Sequence, residues 1–324
     1  MTIVVDGHEK FRVDGPTAVT VGKFDGVHVG HRELIRVTRD AAREMGGKSI
    51  VVTFWPHPLA ILRPEIRLRL VTSLSDRLDL LAGEKPDYIR IVTFDQQFAH
   101  QSADEFLRNL QGALGMSTFV IGSEGRIGQD RHAGINEIQS ISDQADFQLR
   151  VVGPVIQGQR VSSLMIRDLL DLRDIEQATS ALGRLPSMGG PVVQGEQRGR
   201  DLGFPTANLT VADDIVLLAN GVYSGRMLLI EEKLPRLYPA VINLGIRPSF
   251  GGHTRLLEAH LLDFSGDLYG KQVRIYFEKF IRNERQFISI NGLKSQILED
   301  IELANLVSAQ AFPSEMYSPW LAHK

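Results

Sequence analysis

Between Thr17 and Val152, short apolar runs alternate with stretches of helical period, and that alternation constrains the fold more tightly than any other feature of the chain. Thr17–Val21, Ser49–Phe54, Tyr88–Phe94, Thr118–Gly122 and Phe147–Val152 are short and rich in apolar residues, as strands covered on both faces are. The spacing predicts a helix over His31–Met45, with Leu34, Ile35, Thr38, Ala41, Ala42 and Met45 on one face and Gly46-Gly47 ending it. Further helices are predicted at Leu74–Ala82, Ala103–Leu110 and Asn136–Ser140. Strand and helix in turn imply an α/β fold built on a doubly wound parallel sheet.

After Asp168 the pattern changes. Met165–Leu172 and Ile175–Leu182 read as two short helices, and Gly183 and Pro186 then break the periodicity. Beyond them, β-rich runs at Val222–Ile230, Leu237–Leu244, Leu256–Leu262 and Gln272–Phe280 are separated by Gly and Pro, which predicts a small antiparallel barrel. A helix from Asn291 to about Val307 and a Pro-containing tail close the chain. The 324 residues suit two domains, and the breakers set the expected boundary near Gly183, giving domains 1–183 and 184–324.

Composition removes several classes of function. Cysteine is absent, so disulfides, thiolate nucleophiles and cysteine-bound metals are excluded. Lys plus Arg number 36 against 39 for Asp plus Glu, a formal charge of −3, which argues against duplex nucleic acid as a partner. No apolar run approaches the ~20 residues that span a bilayer, and Met1–Gly7 lacks the basic flank and apolar core of a signal peptide. A soluble cytoplasmic protein without a membrane or nucleic-acid partner, monomeric or weakly self-associating, is the expectation.

The sharpest motif is Gly22-Lys23-Phe24-Asp25-Gly26-Val27-His28-Val29-Gly30-His31, which begins where the first strand ends and runs into the first helix. Ligands of open parallel sheets bind at that place. The glycines admit close backbone approach, and a helix N-terminus favours an anion. His28 and His31, three residues apart, can present two imidazoles to one phosphate and stabilise charge growing on its oxygens. A metal site is the other reading, although no carboxylate stands at ligand spacing beside the pair.

This run resembles the HxGH motif of nucleotidylyltransferases, in the longer GxFDGxHxGH form of bacterial bifunctional riboflavin kinase/FAD synthetases. Thr53–Pro58, the run from Phe94 to Leu107, and Ser162–Arg167 resemble that family's next motifs. The resemblance implies catalytic roles for His28 and His31. It also implies ATP contacts at Gly22, Phe24, Asp25, Gly30, Arg160, Ser162, Ser163 and Arg167. On their own residues, Ser162-Ser163 also suit a helix N-cap and His57 a rigid loop. Two departures stand out: Leu164 occupies a position where the family has Thr, and Gly122–Gly128 (GSEGRIG) lacks both aromatics of the family's GxDFxFG run.

The second cluster is Gly195–Asn208. Gly195, Gly199 and Gly203 recur every four residues with Arg198 and Arg200 among them, a loop able to fold over polyphosphate. Thr206 and Asn208 offer oxygen donors of the kind that hold Mg²⁺ together with substrate phosphates. The run resembles the RGRxLGFPTAN signature of riboflavin kinases, and Asn243–Phe250, Glu258–Phe264, Asp267–Gly270 and Ile281–Glu284 resemble later motifs in order. The resemblance implies Glu258 as catalytic base, kinase ATP contacts at Gly195, Arg198, Gly203, Thr206 and Asn208, and flavin contacts at Phe264, Arg282 and Glu284. It implies phosphorylation of riboflavin to FMN with MgATP, then adenylylation of FMN to FAD with release of pyrophosphate. The alternative left by Leu164 and the altered Gly122–Gly128 run is a monofunctional riboflavin kinase with a weakened adenylyltransferase domain. A different HxGH adenylyltransferase and a non-enzymatic flavin carrier are further alternatives; Pro205–Asn208 counts against the first, and the retained Glu258, His28 and His31 against the second.

Overall fold

The computed structural model describes residues 2–6, 11–195, 198–216, 218–230, 236–249, 252–310, 312–317 and 319. Its contacts divide the chain into two compact units, Met1–Ser163 and Leu164–Lys324.

The first unit contains, in chain order, β1 (Ile3–Val5), β2 (Thr17–Val21), α1 (Val29–Glu44), β3 (Lys48–Trp55), α2 (Pro58–Leu62), α3 (Leu74–Gly83), β4 (Tyr88–Thr93), α4 (Gln96–Ala99), α5 (Ala103–Leu114), β5 (Met116–Gly122), α6 (Ile135–Ala145) and β6 (Gln148–Val152), followed by a small hairpin of β7 (Ile156–Gln157) and β8 (Gln159–Arg160). Six strands pair in parallel in the order β1-β4-β3-β2-β5-β6. The chain moves from β2 through β3 to β4 on one side and returns to pair β5 with β2 on the other. A topological switch point therefore lies between β2 and β5, where a crevice opens outside the carboxyl ends of the strands. The expected sheet is present; β1, an edge strand of three residues, is an addition to it.

Local chemistry sets the helices. Ser102 and Glu105 form a reciprocal capping box at the start of α5, and Gly115 at φ 64° ends that helix in the left-handed region. On α1 the buried residues are Ile35, Thr38, Ala41 and Ala42, four of those read as one face. Leu107, Leu114, Val19, Ile50, Phe119 and Ile138 belong to the continuous apolar core of this unit.

The second unit begins with two helices, α7 (Ser163–Asp171, whose first residue belongs to the first unit) and α8 (Ile175–Leu182). The chain then forms β9 (Ser187–Val193), α9 (Arg198–Leu202), β10 (Ala207–Leu209), β11 (Gly221–Leu229), β12 (Arg236–Ser249), β13 (Gly252–Leu261), β14 (Gln272–Arg282) and α10 (Ile290–Ser308). The strands close into an antiparallel barrel in the order β10-β13-β12-β11-β14-β9, with β9 pairing β10. Period-2 alternation is strict on β13: Leu257, Ala259 and Leu261 are buried, and Glu258 and His260 belong to the other face. The helices α7 and α8 belong to the barrel's unit by their hydrogen bonds. Leu170 O accepts from Ala219 N at 3.2 Å, and Arg173 donates to Asn220 O at 3.0 Å with its guanidinium 4.9 Å from the Phe280 ring. No described helix is long and apolar enough to cross a membrane.

Candidate active sites

The loop from Gly22 to His31 leaves β2 at the switch point. Gly22 N still bonds to Val52 O at 3.0 Å, so the sheet extends to the first residue of the motif. Phe24 then turns inward, fully buried at φ 51°, and Gly26 follows at φ 84°, a conformation that glycine adopts without strain. His28 is the N-cap of α1: its Nδ1 accepts from His31 N at 3.4 Å. With Nδ1 as acceptor, the proton of a neutral His28 ring sits on Nε2. The His28 and His31 rings stack at 3.6 Å between centroids with an 18° interplanar angle, and Phe24 meets His31 edge-on at 5.2 Å. A Cβ on Gly30 would lie 3.2 Å from the His28 ring, which explains the glycine between the histidines. Two imidazoles thus stand side by side at a helix N-terminus, an arrangement suited to an anion.

A second segment, Val71–Arg77, holds this loop in shape. Asp25, 3% exposed, accepts from Val71 N at 2.8 Å and Thr72 N at 3.2 Å, and Thr72 Oγ1 accepts from Gly26 N at 3.0 Å. Ser163 Oγ donates to Asp25 O at 2.8 Å. Asp25 and Ser163, read from the sequence as ATP contacts, thus also fasten the loop. From α3, Arg77 Nη1 donates to Lys23 O at 2.6 Å, and Thr53 Oγ1 reaches the same carbonyl at 3.3 Å. Burial holds the Arg77 guanidinium below its ordinary pKa, with the Asp25 charge opposing. Arg77 was missed in the sequence, although a signal was there: it shares the apolar face of α3 with Leu80 and Leu81.

Across the switch point, Ser123, Glu124, Gly125 and Arg126 line a cleft of about 970 Å³ at the carboxyl end of β5. Arg160 is exposed and forms an ion pair with Glu124 of the altered run. His57 is buried and caps α2, its Nδ1 accepting from Leu59 N at 3.2 Å. Ser162 and Arg167 are half-buried, and Leu164 is 64% exposed, an apolar side chain left in solvent at the start of α7.

In the barrel, strand register assembles the second cluster. Glu258 on β13 pairs with Asn208 of β10 on one side and with Asn243 of β12 on the other. The half-buried carboxylate residue is thus flanked by two amide residues in adjacent strands. Asn243 was quoted within a motif but given no role; its register with Glu258 becomes visible only in the paired strands. Asn208 lies against Gly195, where any Cβ would collide with the Asn208 amide, so those two members of the predicted loop are brought together. Thr206 Oγ1 is 3.4 Å from a Cβ position on Gly199, Phe204 N bonds to Gly199 O at 2.8 Å, and Gly203 turns at φ 94°. The loop therefore folds back on itself ahead of β10. The Arg198 side chain lies outside the described residues. His260 Nδ1 donates to Pro205 O at 2.7 Å.

The three flavin candidates do not form one cluster through the described contacts. Phe264 packs edge-on against Tyr238 at 5.1 Å. Arg282 forks onto Asp300 of α10, with Nε–Oδ1 2.8 Å and Nη2–Oδ2 2.7 Å, and so ties the helix to the barrel. Glu284 is exposed, with its carboxylate over Gly245, two residues from Asn243.

A parallel sheet with a glycine-lined, imidazole-bearing crevice, followed in one chain by a closed barrel with a carboxylate between two amides, defines a two-unit transferase. Residues 10–165 match the family model of FAD synthetase, and residues 182–307 match that of riboflavin kinase. The chain belongs to the bifunctional riboflavin kinase/FMN adenylyltransferase family. It is 34% identical over 284 residues to the bifunctional riboflavin kinase/FMN adenylyltransferase of Escherichia coli K12, covering 87% of this chain and 90% of that protein. It is 32% identical to the enzyme of the same name from Buchnera aphidicola of Schizaphis graminum, covering 94% and 97%. A crystal structure described as a macrolide-efflux protein from Streptococcus pneumoniae superposes with a TM-score of 0.84 at 29% identity, covering 94% of this chain and 98% of that one.

Proposed function

We propose that the chain performs two successive transfers: riboflavin and ATP give FMN and ADP, and FMN and a second ATP give FAD and pyrophosphate. The kinase machinery is assigned to residues 184–324 and the adenylyltransferase to 1–183. The observation that carries the reading is the register Asn208–Glu258–Asn243, a carboxylate fixed between polar neighbours on a barrel strand. The matches to both family models support the bifunctional reading over a kinase with a degenerate partner domain.

In the kinase step, Glu258 accepts the proton of the ribityl 5′-hydroxyl as that oxygen attacks the γ-phosphorus of ATP and the bond to the β-phosphate oxygen breaks. Backbone N–H groups of Gly195 and of the turn at Gly199–Gly203 are assigned to the phosphates. The Thr206 hydroxyl and Asn208 amide are oxygen donors suited to Mg²⁺, and Gly195 keeps the space beside Asn208 clear of a side chain. When bound, the cation would neutralise charge on the phosphates. Protein ligands are few, as is usual where substrate phosphates complete the shell.

The adenylyl step needs no strong base, since the FMN phosphate is already anionic. An FMN oxygen attacks the α-phosphorus of ATP, and the bond to the β-phosphate oxygen breaks to release pyrophosphate. The demand is to bring two anions together, and His28, His31 and the N-terminus of α1 supply fixed donors for the charge that develops. Gly22, Phe24 and Gly30 shape the loop; Arg160, Ser162 and Arg167 are assigned to the phosphates; Phe264 and Glu284 are assigned to the flavin in the barrel. We also assign the protein to the cytoplasm, as a monomer or weak self-associate without membrane or nucleic-acid partners.

The test is to incubate the chain with riboflavin, ATP and Mg²⁺ and to chromatograph the products. FMN and FAD together are expected. FMN alone would return the monofunctional kinase, and neither product would defeat both readings.

A further inference from the structure

Arg77 holds a buried cation whose hydrogen bonds the described residues satisfy only in part. It is 1% exposed, yet among the described residues only Nη1 of its three guanidinium nitrogens has a hydrogen-bond partner, the Lys23 carbonyl at 2.6 Å. Nε and Nη2 are buried without a partner among the described residues. The Trp55 ring centroid stands 6.0 Å from the guanidinium carbon, a cation–π contact too weak to substitute for a counter-ion. The Asp25 carboxylate, which accepts backbone N–H bonds from Val71 and Thr72, offsets part of the charge, but burial outweighs it.

An Arg serving only to fill space would be costly here, because Met or Leu fills the same volume without desolvating a cation. The position of the charge supplies its use. Lys23 begins the turn between β2 and the histidine pair, so Arg77 grips the loop directly behind the crevice into which the phosphates of ATP must come. The guanidinium is shielded from water, and a buried fixed cation acts on an anion with less screening than an exposed one.

We propose that Arg77 is a positioning residue of adenylyl transfer: it fixes the Lys23 carbonyl, and its buried, incompletely hydrogen-bonded cation is matched by the nucleotide's phosphates when ATP binds. This rests on the adenylyltransferase reading above. Arg77 acts through the loop and through its field, and it need not touch the substrate.

The test uses the full chain as Arg77→Met and Arg77→Lys. FAD formation from FMN is measured over a range of ATP, FMN formation from riboflavin is measured in the same preparations, and melting temperature is recorded with and without ATP. Arg77→Met should melt at or above the parent temperature without ATP, since the desolvation of the buried cation outweighs its attraction to Asp25. Its KM for ATP in FAD formation should rise ~10-fold or more, with a smaller change in kcat and a smaller ATP-induced rise in melting temperature. FMN formation should stay within about twofold of the parent. Arg77→Lys, which restores charge without the planar fork, should recover part of the KM. A variant that melts lower or fails to fold would overturn the proposal and make Arg77 structural. So would an unchanged KM in a folded Arg77→Met protein, or a Lys variant no better than Met. If the parent itself makes no FAD, the adenylyltransferase reading falls first.

Discussion

Glu258→Gln is the substitution that bears most directly on the kinase chemistry. Glu258 is half-buried on β13, with Asn208 and Asn243 as its cross-strand neighbours. Gln keeps the length and volume, and an amide can hydrogen-bond to neighbouring Asn side chains as a carboxylate can, so the barrel should remain folded. What is lost is the ability to take a proton. Removal of a general base typically lowers the rate ~10²- to 10⁴-fold, which at about 1.4 kcal/mol per factor of ten is roughly 3–5 kcal/mol of transition-state stabilisation. The loss should fall on kcat more than on KM, because the proton moves only as the new P–O bond forms. The assay is initial-rate FMN production from riboflavin, with FAD production from supplied FMN measured alongside. The histidine crevice lies in the other compact unit, so the second rate should stay within about twofold of the parent. A fall in FMN production of less than ~10-fold would refute the base assignment. An equal fall in both rates would show that Glu258 supports the fold instead.

Further outcomes are expected. His28→Ala should give the opposite pattern, FMN accumulating while FAD formation falls ~10²-fold or more, as when a fixed transition-state donor is lost; normal FAD output would remove the histidines from the mechanism. Leu164→Thr replaces an exposed apolar side chain with a hydroxyl donor; a hydrogen bond to a charged phosphate is worth ~1.5–3 kcal/mol, so FAD formation should improve ~10- to 150-fold in apparent KM or kcat, and an unchanged rate would mean that other donors already suffice. Asp300→Ala strands the forked Arg282, itself largely buried, and should cost ~3–5 kcal/mol, read as a lower urea midpoint for loss of kinase activity; a shift under ~1 kcal/mol would mean that α10 does not depend on this pair.

Much of this molecule is written in local pattern. The strand at Thr17–Val21 and the helix at Ile175–Leu182 have the limits that periodicity and caps predict, because each element carries its own start and stop chemistry. The two glycine-rich motifs are legible for the same reason: a turn that must let backbone approach a ligand needs small residues at set spacing, and spacing is a property of the chain. Even Arg77 left a trace, as an Arg on the apolar side of a short helix.

The two short strands that complete the predicted barrel, β9 and β10, left no such trace. β9 contains Gly189, Gly190 and Pro191, residues that punctuate loops in a sequence, yet it is a strand because its neighbours press on it. A Cβ on Gly189 would meet the Arg274 guanidinium at 2.7 Å, and one on Gly190 would meet Thr210 O at the same distance. β10 is only three residues long and is held by β13 and β9 on its two sides. Partners remote in sequence decide such strands, and they decide function as well. Arg282 reads as a flavin contact in its motif, and only the fold shows that its guanidinium forks onto Asp300 of α10. Glu258 stands between Asn208 and Asn243 only because β10, β12 and β13 pair in that register. Residue type and spacing along one strand carry the chemistry; which residues face each other is set by hydrogen bonds between strands, and only the closed barrel contains those.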